Sequence, residues 1–330
     1  MGAAAIREAY ARAGSAGWVA RDRVAAQASV VFVMHQQRPA RLAVGVVGTG
    51  RVGTVLGAAL VRAGHRVVAA SGVSPASRER AEALLPGVPV LAVPDVVAAA
   101  ELVLLAVPDD QLAPLVSGLT AIGAWQAGQL VAHTSGRWGI GVLEPAAQAH
   151  VIALALHPAM TFSGTADDLE RLLGCCFGVT ATEPLRPVAE ALVVEMGAEP
   201  VWVAEADRPA YHAALTHGAN HLVTLVAQAL QILRGAGVEA PDRLLAPLLS
   251  AALDGALRQG DVALTGPISR ADTGTVAAHV RELGSESADV LPTYVALARA
   301  TAVRALAAGR LTPQATADLL DALAPTKEPS

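Results

Sequence analysis

From residue 42 onward, short wholly apolar runs alternate with longer stretches whose apolar residues recur every three or four positions. Continuous apolar runs mark strands buried on both faces, and the longer spacing marks helices with one buried stripe. Residues 42–47, 65–70, 88–93, 102–107, 130–133, 151–156 and 178–180 therefore read as strands, with helices over 54–63, 77–85, 96–100 and 112–119. Gly64 ends the first of these helices and Pro86-Gly87 stops the second. Strands and helices in alternation imply a doubly wound, mostly parallel α/β sheet.

After about residue 205 the strand-like runs cease. Residues 209–233, 242–259, 275–283, 291–307 and 312–323 all carry helical spacing, so an all-α domain is expected there. The first 40 residues show neither period, nor the basic start, apolar run and cleavage site of a signal peptide. The expected organisation is a tail over 1–40, an α/β domain over 41–204 and a helical domain over 205–330. Met34 is a candidate start, and residues 1–33 are expected to be dispensable for folding.

Composition narrows the class. The chain has 330 residues, 53% apolar and 16% charged, enough for sizeable cores. No stretch of about 18 apolar residues runs uninterrupted, so no membrane span is expected. A net charge of −5 without any basic run argues against nucleic acid. Cys175 and Cys176 are adjacent, which excludes a disulfide framework and fits a reducing cytoplasm. Among 24 basic residues only Lys327 is a lysine, close to the end of a polar tail, so lysine acid–base or Schiff-base chemistry is nearly excluded.

The first strand runs into Gly48-Thr49-Gly50-Arg51-Val52-Gly53 and then a helix. Gly48 permits a tight turn, Gly50 lets the backbone approach a pyrophosphate, and Gly53 lets helix and strand pack closely. The helix N-terminus offers unpaired N–H groups to phosphates. This is the dinucleotide fingerprint in its required context, and it makes the first domain Rossmann-type. NAD-specific sites carry an acid at the end of the second strand. Here the segment reads Val68-Ala69-Ala70-Ser71-Gly72, so NADP(H) is favoured over NAD(H), with Ser71 and Arg78 as candidate 2′-phosphate contacts. Val107 and Pro108, closing the 102–107 strand, are counted with the cofactor residues.

Ligands of open parallel sheets bind beyond the carboxyl ends of the strands. Two neighbouring ends carry histidines: His133-Thr134-Ser135-Gly136 and His157-Pro158. His133 is a candidate catalytic group, and Ser135 and His157 are candidate substrate contacts. No third ligand has regular spacing with the histidines, so no metal is expected. In the helical region His212, Thr216 and Asn220 are spaced to share a face, which makes them candidate catalytic groups. Arg270 is a natural fork for a substrate carboxylate. Asp272 is either a substrate contact or a helix N-cap.

Together these motifs resemble a family. Gly48-x-Gly50-x-x-Gly53, His133-x-Ser135-Gly136, His157-Pro158, Tyr211-His212…Asn220 and Thr265-Gly266-Pro267-x-x-Arg270-x-Asp272…His279 resemble the Rossmann-like proteins with a DUF2520 C-terminal domain, over about residues 41–325. The family stands with ketopantoate reductases, β-hydroxyacid dehydrogenases, pyrroline-carboxylate reductases and prephenate dehydrogenases. The resemblance implies a C-terminal domain of the 6-phosphogluconate-dehydrogenase/ketopantoate-reductase type. It also implies an NADP-dependent reductase of a small carboxylate, with 2-dehydropantoate as the leading substrate, and a homodimer formed through the helical domain. Two rivals are a prephenate-dehydrogenase-like or β-hydroxyacid dehydrogenase activity, and a non-catalytic dinucleotide sensor. Two departures stand out: Thr216 occupies the place of the lysine of ordinary ketopantoate reductases, and Gly72 that of a basic residue after the second strand.

Overall fold

The computed structural model describes residues 41–324. The tail and Met34 lie outside the described residues. Strand β1 (Ala43–Val47) leads into α1 (Arg51–Arg62), followed by β2 (Arg66–Ser71), α2 (Pro75–Leu84), α3 (Val93–Ala99) and β3 (Leu102–Leu105). Next come α4 (Asp109–Ala121), β4 (Leu130–His133), the one-turn α5 (Glu144–Ala147), β5 (Ile152–Pro158) and α6 (Asp167–Arg171). The α/β part closes with β6 (Cys176–Thr180), α7 (Arg186–Glu195), β7 (Glu199–Trp202) and α8 (Arg208–Leu215).

One seven-stranded sheet has the order β2-β1-β3-β4-β5-β6-β7. Every pairing is parallel except β5 with β6. The expected doubly wound α/β sheet is present, and its order reverses between β1 and β3, where such sheets open a crevice. Two apolar layers cover it. Val46, Leu56, Leu104, Leu154 and Phe177 belong to one, and Val47, Val103, Leu112, Val116 and Val131 to the other. Burial on both faces explains the unbroken apolar runs that betray these strands.

Three local expectations change. Residues 88–93 form no strand, because only the isolated bridge Ala70↔Val90 joins them to the sheet. The 151–156 strand extends to Pro158, which brings His157 into the sheet opposite Gly178. The 209–233 helix is interrupted: α8 passes into a π-helical turn at Thr216–Asn220 before α9 (His221–Gly235). Such turns insert an extra residue and recur at functional sites.

The chain divides into two compact units that meet in sequence between Thr216 and His217. The second is all-helical: α9, α10 (Pro241–Gln259), the short α11 (Gly266–Ser269), α12 (Thr273–Glu286), α13 (Leu291–Ala307) and α14 (Pro313–Ala322). Its core is Val276, Ala298, Ala302, Ala305, Leu319 and Leu323. Among the described residues no helix is long and apolar enough to cross a membrane.

Candidate functional site

The glycine-rich loop is held from below. Ser71 at the end of β2 accepts hydrogen bonds on its carbonyl from Gly48 N (2.9 Å) and Thr49 N (3.0 Å). Gly48 adopts φ 97°, and a Cβ there would collide with Ala106 O. A Cβ on Gly53 would collide with Gly48 O, whereas one on Gly50 meets nothing within 4 Å. Two glycines therefore let α1 pack against the strand ends, and the third leaves open space. Among the described residues the N–H groups of Gly50, Arg51, Val52 and Gly53 have no backbone or side-chain acceptor. Four free donors, open space at Gly50 and a helix N-terminus fit a dinucleotide pyrophosphate.

The Gly72 departure has a structural reason. A Cβ at Gly72 would collide with the Thr49 hydroxyl, which is buried and without a hydrogen-bond partner. Thr49 thus excludes any side chain, acidic or basic, from that position. One cation stands beside it, with Arg78 Nε 3.5 Å from Gly72 O; the Arg51 and Arg80 stems flank Gly164. Ser71 is buried, and Ser74 caps α2. Val107 and Pro108 lie between β3 and α4, and Val107 adjoins Gly48.

At the ends of β4 and β5 a second group forms. His133 is fully buried at the last position of β4. Its Nδ1 accepts from Ser135 N (3.2 Å), which leaves Nε2–H to donate to Gly139 O (2.8 Å). Burial lowers its pKa to about 4, so the ring is neutral at pH 7. Both nitrogens are occupied, and His133 braces its loop. Ser135 Oγ accepts from Trp138 N (3.2 Å), and Glu205 accepts from Ile140 N (2.8 Å) and Gly141 N (3.0 Å).

His157 Nδ1 is 2.9 Å from the Tyr211 hydroxyl. Burial, then the neighbouring His212 and Arg208, lowers the His157 pKa to about 4. The His212 ring stands edge-on to His157, with centroids 6.0 Å apart. Gly136 makes this approach possible: a Cβ there would lie 2.7 Å from His212 Cδ2 and 2.8 Å from His157 Nε2. Among the described residues His212 makes no side-chain hydrogen bond, so of these three histidines it alone has both nitrogens free for a ligand, while His157 keeps Nε2 free and His133 neither. Under the cluster lies Arg208, fully buried, with hydrogen bonds to Thr180, Ser135, Ala155 and Gly178.

Residues 25–158 match the Rossmann-like domain model, and residues 175–301 match DUF2520, a domain of unknown function. The two matches follow one another along the chain. The His133, Ser135, Gly136 and His157 positions fall in the Rossmann-like match, and Arg208, Tyr211 and His212 in the DUF2520 match. Among curated proteins no relative matches the chain. Solved structures do. A Bacteroides fragilis protein provisionally classed as an NADP oxidoreductase is 21% identical, with 79% of this chain and 98% of that chain covered at a TM-score of 0.64. An imine reductase of Myxococcus stipitatus in complex with NADP+ is 18% identical, covering 81% and 95% at 0.60. The V8 variant of a Myxococcus stipitatus imine reductase, in complex with NAD+, is 17% identical, covering 86% and 99% at 0.58. At these identities the likeness shows the fold.

The remaining candidates of the DUF2520 match divide between the units. Thr216 ends the first, whereas Asn220, Arg270 and Asp272 fall in the second. Asp272 is the N-cap of α12: it accepts from Thr275 N (3.0 Å) and from the Thr275 hydroxyl (2.7 Å), which hold its carboxyl below the usual range. Arg270 is exposed, beside Ala271 at φ 59°. Among the described residues no group of three or more His, Cys, Asp or Glu is arranged to hold a metal. Tyr211 and Gly136 stand in the sequence motifs without a role of their own, and Arg208 lies outside them. An arginine followed after two residues by Tyr-His at a helix start was the available signal.

Proposed function

We propose that the chain is a nicotinamide-dinucleotide-dependent reductase of a small 2-oxo acid, with 2-dehydropantoate as the leading candidate. The observation that carries this reading is the His157–Tyr211–His212 cluster at the strand ends of a sheet whose glycine-rich loop presents four free N–H donors. The NADP+ and NAD+ complexes of structural neighbours support the cofactor class, and Arg78 with the acid-free end of β2 supports NADP(H). A bound reduced nicotinamide supplies a hydride to the carbonyl carbon. The chain's own residues do the rest. Gly48–Gly53 hold the phosphates. His212 delivers a proton to the carbonyl oxygen, so that the product is a 2-hydroxy acid. Tyr211 holds His157, and His133 and Ser135 shape the loop that Gly136 opens. Thr216, at the end of the same unit, orients the oxygen. A homodimer is favoured by the exposed apolar residues of α9 and α10, among them Val223, Leu244, Leu248 and Leu257.

The test is NADPH oxidation with 2-dehydropantoate, 2-oxoisovalerate and, for the imine-reductase likeness, 1-pyrroline, with prephenate and NAD(P)+ for the reverse direction. His212→Ala is expected to lower kcat by about 10²–10⁴ with NADPH affinity retained. Parallel loss of stability and of cofactor binding in His212→Ala identifies an anchor instead of a donor. NADPH binding without turnover of any substrate points to the sensor.

A further inference from the structure

Arg208 is at 0% exposure, at the start of α8, beneath the histidine cluster. Its Nε donates to Thr180 Oγ1 (2.8 Å), Nη1 to Ser135 O (3.4 Å), and Nη2 to Gly178 O (3.0 Å) and Ala155 O (3.2 Å). These four acceptors come from the middle of β5, from β6 and from the loop after β4, so the fork ties α8 to three segments that form the site. All four are neutral. Among the described residues no carboxylate lies within ion-pair distance of the guanidinium. Glu205, the nearest acidic influence, is held by the backbone N–H groups of Ile140 and Gly141.

Neutral hydrogen bonding alone does not account for a buried guanidinium, because burying an unpaired charge is costly and a neutral amide could donate to the same carbonyls. The charge also acts on what surrounds it. The guanidinium carbon lies 5.7 Å from the Tyr211 ring centroid, and the charge disfavours protonation of His133 and His157. The groups around this charge are Tyr211 and His212 on α8, His157 on β5, His133 on β4, Glu205, and Asp109 at the start of α4, whose charge acts oppositely on both buried histidines.

We propose that Arg208 is a positioning residue whose uncompensated charge makes the histidine cluster select a ligand that bears a carboxylate over its neutral counterpart. The inference deepens the reductase reading by supplying the reason that a 2-oxo acid, and not a plain ketone, is the substrate class. Arg208 itself touches no ligand, since it has no exposed surface. It acts through its field, which attracts the net charge of a carboxylate and has little hold on a neutral amide, the more so because the guanidinium is buried away from water.

The experiment measures, by calorimetry on the full chain with NADP+ present, the binding of 2-hydroxyisovalerate and of its amide. Wild type is expected to bind the carboxylate about tenfold or more tightly than the amide. Arg208→Gln brings the ratio close to one. Arg208→Lys, which keeps the charge without the fork, and Thr180→Val, which removes one acceptor and keeps the charge, both retain the preference. A purely structural Arg208 predicts instead that Lys and Gln fail alike. If Arg208→Gln does not fold, the wild-type, Arg208→Lys and Thr180→Val ratios still decide. Equal binding of the two compounds by wild type, binding of neither, a preference kept by Arg208→Gln, or one lost in folded Arg208→Lys overturns the proposal. Carboxylate binding without reduction of any 2-oxo acid overturns only the reductase reading.

Discussion

Replacing Gly136 by alanine adds one methyl group where the structure has no room for it. The new Cβ lies 2.7 Å from His212 Cδ2, 2.8 Å from His157 Nε2 and 3.0 Å from His157 Cδ2. Non-bonded heavy atoms settle at roughly 3.5–4.0 Å, so the two rings must retreat by about 1 Å. His157 is held by Tyr211 at 2.9 Å and His212 by the backbone of α8, so the strain is shared between a hydrogen bond and a helix. Overpacking of this kind costs about 1–3 kcal/mol, and each kcal/mol lowers Tm by about 2–4 °C in a domain of this size. A shift of about 1 Å in a catalytic group costs about 10² in rate. The expected outcome is a modest fall in Tm, a fall of about 10² in kcat, and unchanged NADPH affinity, because the glycine-rich loop belongs to other strand ends. Thermal denaturation, fluorescence titration with NADPH and initial rates measure the three separately. His212→Ala in the same chain removes one of the two colliding rings and should recover part of the lost Tm, with a coupling of about 0.5–3 kcal/mol. Parent-like Tm and turnover in Gly136→Ala refute the placement of the rings, and additive Tm changes in the double variant refute the collision with His212.

Stability should depend on pH through His133 and His157. Both pKa values are lowered to about 4, so between about pH 6.5 and 4 the unfolded chain binds more protons than the folded one. Stability is then full above about pH 6.5 and falls with pH by about 1.4 kcal/mol per unit for each histidine, down to their folded values. A flat denaturation midpoint over that range, or an unchanged slope in His157→Gln, contradicts the burial argument. Gly53→Ala should abolish NADPH binding and lower Tm, since its Cβ collides with Gly48 O, and a titration with wild-type affinity excludes the proposed cradle. Arg78→Ala should weaken NADP(H) several-fold more than NAD(H), and equal losses for the two cofactors remove Arg78 from 2′-phosphate recognition.

Much of the α/β unit was legible in the chain because local signals and tertiary outcome agree there. Strands buried on both faces must be apolar throughout, and a helix that meets a phosphate must begin with glycines of particular freedom; both demands leave marks a few residues wide. The 88–93 segment misled for the same reason: its apolar residues cover the sheet margin by a single bridge, and a short apolar run does not say which. The histidines at the ends of β4 and β5 were visible as residues, but their different situations were not. His133 has both nitrogens bound by backbone groups, whereas His212, three strands later in the chain, has both free. That contrast depends on which groups lie within about 3 Å across segments far apart in sequence, and no periodicity records it. Arg208 shows the limit most plainly. By type it is a surface residue at the first turn of a helix, and its burial follows only from the convergence of four neutral acceptors on one fork. Sequence alone therefore determined the layered sheet, the cofactor loop and the set of polar residues at the strand ends, because each is written in contiguous residues. Tertiary structure alone decided which of those polar groups are braces and which are free to act, because hydrogen-bond saturation and burial are properties of neighbours that the chain brings together only by folding.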